Sequence, residues 1–311
     1  MTLTCGVDVG GTKIAGAVID TEGTVLDEHR VESPATDTEA IEDAIADLVT
    51  ELGSRHRIEA VGIGAAGYIS ASRALVMFAP NLAWRDVDLK AELEERVDVP
   101  VVVENDANAA AWGEFRFGAA ADADDLLLVT VGTGVGGGIV LDGELFRGSF
   151  GAAAEIGHVR VVPGGRLCGC GNLGCLEQYG SGSALVKHVR EAAHAPEAAT
   201  LLDAAGGDPE LITGPMITEA ARAGDPFARG QLAEIGRWLG EGIASLAAVL
   251  DPACVVIGGG VSDAGDLLLD PIRAAFLDQL PAREYRPEAE IRLATLGNRA
   301  GMIGAADLAR R

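Results

Sequence analysis

Lysine is almost missing from this chain. Of 24 basic residues only Lys13, Lys90 and Lys187 are lysines, and Lys13 falls inside a glycine-rich turn. Positive charge as a whole is short: 47 acidic residues leave a formal net charge of −23. A field of that sign repels phosphate backbones and anionic lipid, which argues against nucleic acid and membrane surfaces as partners. Long hydrophobic runs are absent too. The longest uncharged stretches, such as 126–141, are broken by glycines and too short to span a bilayer. The N-terminal MTLTCGVDVGG lacks the basic and apolar regions of a signal peptide. Cysteines number five, an odd count, and without an export signal this points to a reducing cytoplasm and away from disulfides.

What remains is the composition of an ordinary globular protein. Apolar residues make up 48% and charged residues 23% of 311, too apolar for disorder and long enough for two domains. Strand-like runs at Cys5–Val9, Ile14–Ile19, Ala60–Ile63, Val99–Val103, Leu126–Val131, Ile139–Leu141 and Val255–Ile257 alternate with helical spacing. Helices are expected over Glu39–Leu52, Leu89–Val97, Ala107–Phe115 and Gly182–Ala193, with a pair over Ile217–Ala223 and Phe227–Leu250 broken at Gly224-Asp-Pro226. That alternation predicts an α/β fold.

An internal repeat organises the chain. VDVGGTKIAGAVID (7–20) overlays VTVGTGVGGGIVLD (129–142) at a constant offset, so each half begins with a strand, a glycine turn and a second strand. Duplication would set two such turns facing each other across a cleft. The small, acidic stretch 118–125 reads as the linker before the second copy.

The first turn, Asp8-Val-Gly10-Gly11-Thr12-Lys13, has what a phosphate needs: bare backbone N–H groups, a hydroxyl, a positive charge and a carboxylate for magnesium. Taken alone, an ordinary hairpin turn fits it equally well. The second turn, with Gly132, Thr133 and Gly134, occupies the equivalent place, and together the two suggest a bound nucleotide. Gly259 and Gly260, after the apolar run at 255, would let a flat ring lie against the backbone, although a tight strand-to-helix turn explains them as well.

Glu104-Asn105-Asp106-Ala-Asn108 follows an apolar strand, where ligands of open α/β sheets bind. Asp106 has the chemistry to accept a proton from a substrate hydroxyl, with Asn105 fixing the same substrate; Asp106 also fits the N-cap of the following helix.

Cysteines crowd into Cys168-Gly-Cys170-Gly-Asn-Leu-Gly-Cys175, ten residues after His158. Three thiolates and an imidazole suit a closed, four-coordinate structural zinc, whereas a redox pair has C-x-x-C spacing at a helix start. Glu155 and Glu177 flank the ligand set, so zinc would join two carboxylates with one oriented imidazole donor, a surface suited to a polyol.

These motifs resemble the ROK family (repressors, open reading frames, kinases). C-G-C-G-x-x-G-C-x-E stands whole at 168–177, E-x-G-H at 155–158, and DVGGTK, ENDANAAAWGE and the 132–138 and 258–260 glycines follow in order. The resemblance runs from about residue 5 to the C-terminus. It implies two duplicated ribonuclease-H-like domains of the actin and hexokinase superfamily with an interdomain cleft. One is a small domain of 1–118 plus 300–311, its C-terminal helix at 300–308 returning to it. The other, 119–299, is larger and carries the zinc loop.

The implied activity is ATP-dependent phosphorylation of the sugar 6-hydroxyl, and PNLAWRDVDL (80–89) resembles the glucose-using members. Asp106 would be the base; Gly67, Asn105, Glu155, His158 and Glu177 would bind sugar. Asp8 would serve magnesium, Gly10, Gly11, Thr12, Lys13, Gly132, Thr133 and Gly134 the ATP phosphates, and Gly259 and Gly260 the nucleoside. A homodimer or homotetramer is implied as well. Relatives often have proline at Ala66 in GIGAAG, a small departure on the sugar side. The alternatives are kinases of N-acetylmannosamine, N-acetylglucosamine, fructose or mannose, a polyphosphate-using glucokinase, for which so acidic a chain offers little basic groove, and a sugar-sensing regulator. For the last, the repressors' helix-turn-helix would precede Asp8, where only seven residues stand.

Overall fold

A computed structural model describes residues 2–311 and divides the chain into two compact units. The first holds the residues up to Leu128 with Gly137–Ala154 and Ala294–Arg311; the second holds Val129–Gly136 and Glu155–Leu293. Among the described residues no helix is long and apolar enough to cross a membrane.

In the first unit β1 (Leu3–Val9) and β2 (Lys13–Ile19) form an antiparallel hairpin, and β3 (Val25–Glu32) extends it beside β2. β4 (Ile58–Ala65) lies parallel to β1. Three short strands, β5 (Tyr68–Ile69), β6 (Val76–Phe78) and β7 (Arg85–Val87), make a separate small sheet. β8 (Val101–Asn105) then runs parallel to β4, giving the order β3-β2-β1-β4-β8.

Because this sheet is covered on both faces, its inner strands read as continuous apolar runs rather than alternating ones. Ile14 and Val18 of β2 pack with Ile41, Ile45, Leu48 and Leu52 of the helix Thr38–Arg55. Ala15, Ala17 and Ile19, pointing the opposite way, pack with Met302, Ile303 and Ala306 of the C-terminal helix Ala300–Leu308. The helix Thr38–Arg55 starts where Asp37 accepts the Ala40 N–H, 3.2 Å away, an N-cap that satisfies one orphan donor.

β9 (Leu126–Val131), β10 (Val135–Leu141), β11 (Glu144–Leu145), β12 (Cys254–Gly258) and β13 (Glu290–Leu293) form the second five-stranded sheet, ordered β11-β10-β9-β12-β13. The plan repeats the first: a hairpin, a third strand outside it, and two later strands on the other side. In the second unit the helices Gly214–Arg222 and Pro226–Leu250 break where expected, with Asp225 capping the Ala228 N–H at 2.8 Å and proline at the first helical position.

Some elements differ from expectation. The strand expected at Val99–Val103 sits two residues later, and the helix from Leu89 stops at Glu94. β3 carries five charged or histidine side chains in eight residues, which hid it as a strand; edge strands tolerate such side chains. The helix Asp266–Gln279, with Pro271 inside it, also lacked a clear sequence signal.

Glu114, a fully buried carboxylate on the helix Asp106–Phe117, fastens the chain's last segment. It accepts the N–H groups of Ala119 (2.8 Å), Leu296 (2.8 Å) and Thr295 (3.2 Å) and the Thr295 hydroxyl (3.3 Å). Glu114→Ala removes all four bonds to a buried carboxylate and is expected to cost about 3 kcal/mol, lowering the melting temperature by several degrees. Calorimetric melting checks it, and an unchanged midpoint would show that water replaces the carboxylate without loss.

Candidate active site

Parallel pairing of β1, β4 and β8 puts three chain turns at one sheet edge. Asp8 lies opposite Gly64, and Ala65 opposite Asn105, so the strands end together. The segments leaving them, Gly10–Lys13, Ala66–Gly67 and Asp106 onward, therefore gather at the carboxyl ends, where open α/β sheets bind ligands.

Asn105 ends β8 and does two jobs. Its Oδ1 accepts the Asn108 N–H (2.9 Å) and its Nδ2 donates to the Gly67 carbonyl (3.0 Å). Asn105, not Asp106, is thus the N-cap of the helix Asp106–Phe117. The Asp106 carboxyl stands at the first helical position, outside the capping bond. Burial pushes its pKa up, against the stabilising Ala107 N–H and the Asn105 side chain. Asp8, at the end of β1, is pushed up to about 6, first by burial and then by the charge of Asp106, with Lys13 acting the other way. A buried carboxylate whose ionisation a neighbouring carboxylate opposes favours a cation beside it.

Beneath this edge lies Glu104, which sequence reasoning passed over. Its buried carboxylate accepts the Asn105 N–H (3.1 Å), the Asn108 amide (3.1 Å) and Arg147 Nε (2.6 Å), with Arg73 Nε at 3.8 Å. The loop 79–84 is shaped by a further side chain without a sequence signal. Arg85 donates to the carbonyls of Ala79 (2.5 Å), Leu82 (2.8 Å) and Trp84 (2.6 Å) and lies over the Phe78 ring. Asn81 of that loop packs against Gly11 of the first glycine turn.

In the second unit His158, Cys168, Cys170 and Cys175 bring one donor atom each within 4.8 Å of one another. Cys170 Sγ is 3.6 Å from Cys175 Sγ, and Cys168 Sγ is 3.7 Å from His158 Nδ1. A tetrahedral zinc with its usual bond lengths needs sulfur–sulfur edges of about 3.8 Å and sulfur–nitrogen edges of about 3.6 Å, so the donors fit the ion. Burial pushes the Cys175 thiol up to about 12 and raises that of Cys168, whereas the Asn172 N–H lowers that of Cys170. Deprotonating all three thiols together would call for a cation beside them.

The opposite ring nitrogen of His158 faces Glu155, with Nε2 and Oε2 4.0 Å apart. Glu177 opens a short helix, and its Oε1 lies 3.7 Å from Cys168 Sγ. The structure therefore gathers Glu155, His158 and Glu177 around the cysteine cluster in the second unit, as it gathers Asp8, Gly67, Asn105 and Asp106 in the first.

Thr133, at the tip of the second glycine turn, lines a cavity of 920 Å³ together with Lys187, Arg190, Pro215, Gly260 and Val261. A second cavity of 530 Å³, sharing Pro215, Gly260 and Val261, continues toward Thr218 and Arg222. The residues from the helix Gly182–Glu191 and from Gly214–Pro215 had no signal in the sequence. Arg190 anchors the wall by binding Glu210 Oε2 (2.8 Å) and the Ile212 carbonyl. Gly259 has φ +83, and a Cβ there would lie 2.5 Å from the Val131 carbonyl, so only glycine fits this wall. Two of the three lysines are now placed: Lys13 is exposed on the first turn and Lys187 lines the cavity.

Two α/β units, with two five-stranded sheets of the same order and ligand-type turns at their strand ends, define the duplicated architecture of the actin and hexokinase superfamily. Within that class this chain belongs to the ROK family, whose profile matches residues 4–311. It is 53% identical over 312 aligned positions to a glucokinase of Streptomyces coelicolor, covering 100% of this chain and 98% of that one. It superposes with a TM-score of 0.91 on a ROK family glucokinase from Streptomyces griseus crystallised with glucose and AMPPNP, at 54% identity and 99% coverage of both chains. A xylose repressor of Bacillus subtilis is 31% identical over 96% of this chain and 74% of its own length.

Proposed function

We propose that this protein is an ATP-dependent glucokinase, transferring the γ-phosphoryl group of ATP to the 6-hydroxyl of glucose in the cytoplasm. The observation that carries the reading is full-length likeness, at 53–54% identity, to glucokinases, one of them holding glucose and a nucleotide analogue.

Asp106 is the general base. With Asn105 supplying the helix cap, its oxygens are free of the capping bond, and burial raises its proton affinity toward what removing a hydroxyl proton requires. As the glucose O6–phosphorus bond forms and the bond from phosphorus to the bridging oxygen of ADP breaks, the O6 proton passes to Asp106. Gly67, Asn105, Glu155, His158 and Glu177 hold the remaining hydroxyls. Gly10, Gly11, Thr12, Lys13, Gly132, Thr133 and Gly134 receive the phosphates, and Gly259 and Gly260 meet the nucleoside. Asp8 would hold magnesium through one carboxylate, the ion's usual share when phosphates and water supply the rest, and the ion would neutralise phosphate charge. Zinc, held by His158, Cys168, Cys170 and Cys175, would fix the loop that presents Glu155 and Glu177.

A coupled assay of ADP release across a hexose panel tests the reading. Glucose is expected to exceed mannose, fructose and the N-acetyl sugars in kcat/KM by at least about tenfold, the discrimination of one well-placed hydroxyl contact. Preference for an N-acetyl sugar, or no turnover with glucose, would overturn it.

A further inference from the structure

Val135, the first residue of β10 directly after the second glycine turn, is buried and gripped from both flanks of the cysteine cluster. Its N–H donates to Glu177 Oε2 at 3.2 Å. Its carbonyl lies against Gly157, the neighbour of His158, where an added Cβ would stand 2.1 Å from the Val135 oxygen. The other oxygen of Glu177 is the one beside Cys168. Gly134 completes the fit: a Cβ there would come within 2.3 Å of Glu177 Oε2. One carboxylate thus touches the metal cluster with one oxygen and the glycine turn with the other.

The turn needs such a hold. Between β9 and β10 it is three residues, Gly132-Thr133-Gly134, and fixing each backbone costs about 1–2 kcal/mol of conformational entropy, most for glycine. A turn ordered before the ligand arrives does not charge that cost against binding.

We propose that Glu177 is a positioning residue for the nucleotide, its carboxylate setting the conformation of the 132–134 turn, where it enters β10, from the metal cluster. This rests on the reading that the turn receives nucleotide phosphates, and it gives Glu177 a task separate from sugar binding. The task needs an acceptor oxygen, not a charge.

Titrating magnesium–AMPPNP into the purified, zinc-loaded protein without sugar tests it, with zinc content and melting temperature measured on each variant. Glu177→Ala is expected to weaken nucleotide binding about tenfold, the loss of one partly buried hydrogen bond and the order it maintains. Glu177→Gln, whose amide oxygen still accepts the Val135 N–H, is expected to stay within about twofold. Gly134→Ala, which drives Glu177 off the turn at a residue that also receives phosphate, is expected to lose at least as much as Glu177→Ala. The double variant should lose no more than Gly134→Ala alone, because both break the one contact. Wild-type affinity in Glu177→Ala, equal losses in Ala and Gln, or additive losses in the double variant would each overturn the proposal. If Glu177→Ala sheds zinc, Glu177→Asp with full zinc decides it: the shorter side chain withdraws the acceptor from the Val135 N–H, so a loss of about tenfold supports the proposal and wild-type affinity overturns it. A wild-type protein that binds no nucleotide would instead overturn the reading beneath it.

Discussion

Asp106→Asn is expected to lower kcat about a thousandfold while the dissociation constant for glucose moves less than about threefold. The asymmetry follows from the geometry. Asparagine keeps the size of the side chain and its position at the head of the helix, and the cap belongs to Asn105. Only the ability to take a proton is removed. Stability should not fall with activity. Burial raises the Asp106 pKa above its unfolded value, so the folded state binds the proton more tightly, and ionisation near neutral pH costs stability that a neutral amide does not. The variant should melt at or above the wild-type temperature. Single-turnover kinetics and glucose calorimetry check the split. Retention of most turnover would remove Asp106 as base, and a parallel loss of sugar affinity would make it a binding group.

Stripping the metal is expected to have the second large effect. Purified protein should hold about one zinc per chain in its closed four-ligand set. Removal with a chelator should weaken glucose binding about a hundredfold or more, because Glu155, His158 and Glu177 each lose a fixed position and charged hydrogen bonds contribute roughly 1.5–3 kcal/mol apiece. Added zinc should restore affinity. Cys175→Ser should copy the loss, since Cys175 is fully buried and its sulfur faces Cys170. The loop itself holds only one 3-10 turn and one short helix, so far-ultraviolet circular dichroism should change little. Protein without zinc, or metal-free protein binding glucose undiminished, would sink the cluster reading.

Glutamate 104 and the cavity wall show where sequence reading ran out. Arg147 lies 43 positions from Glu104, and the pair leaves no periodicity or spacing behind. Arg85 looks like any surface cation until its three carbonyl partners are seen. Lys187 and Arg190 belong to an amphipathic helix whose polar face reads as solvated, yet part of it lines the 920 Å³ cavity. Capping was a closer contest. Asp106 and Asn105 are both good caps, and β8 ending at Asn105 decided between them.

By itself the sequence determined the strand–glycine–strand repeat, the alternation of strands and helices, and the four metal donors. Each of these rests on spacing within a few residues or on a constant offset between two copies, which the chain carries whatever its surroundings. Tertiary structure alone decided which distant groups meet: Glu114 with Thr295 and Leu296, Glu104 with Arg147, and Glu177 with Val135, 42 positions away. Those contacts depend on strand register and on which faces the helices cover, and both are set by the burial of the whole core rather than by any local run of residues.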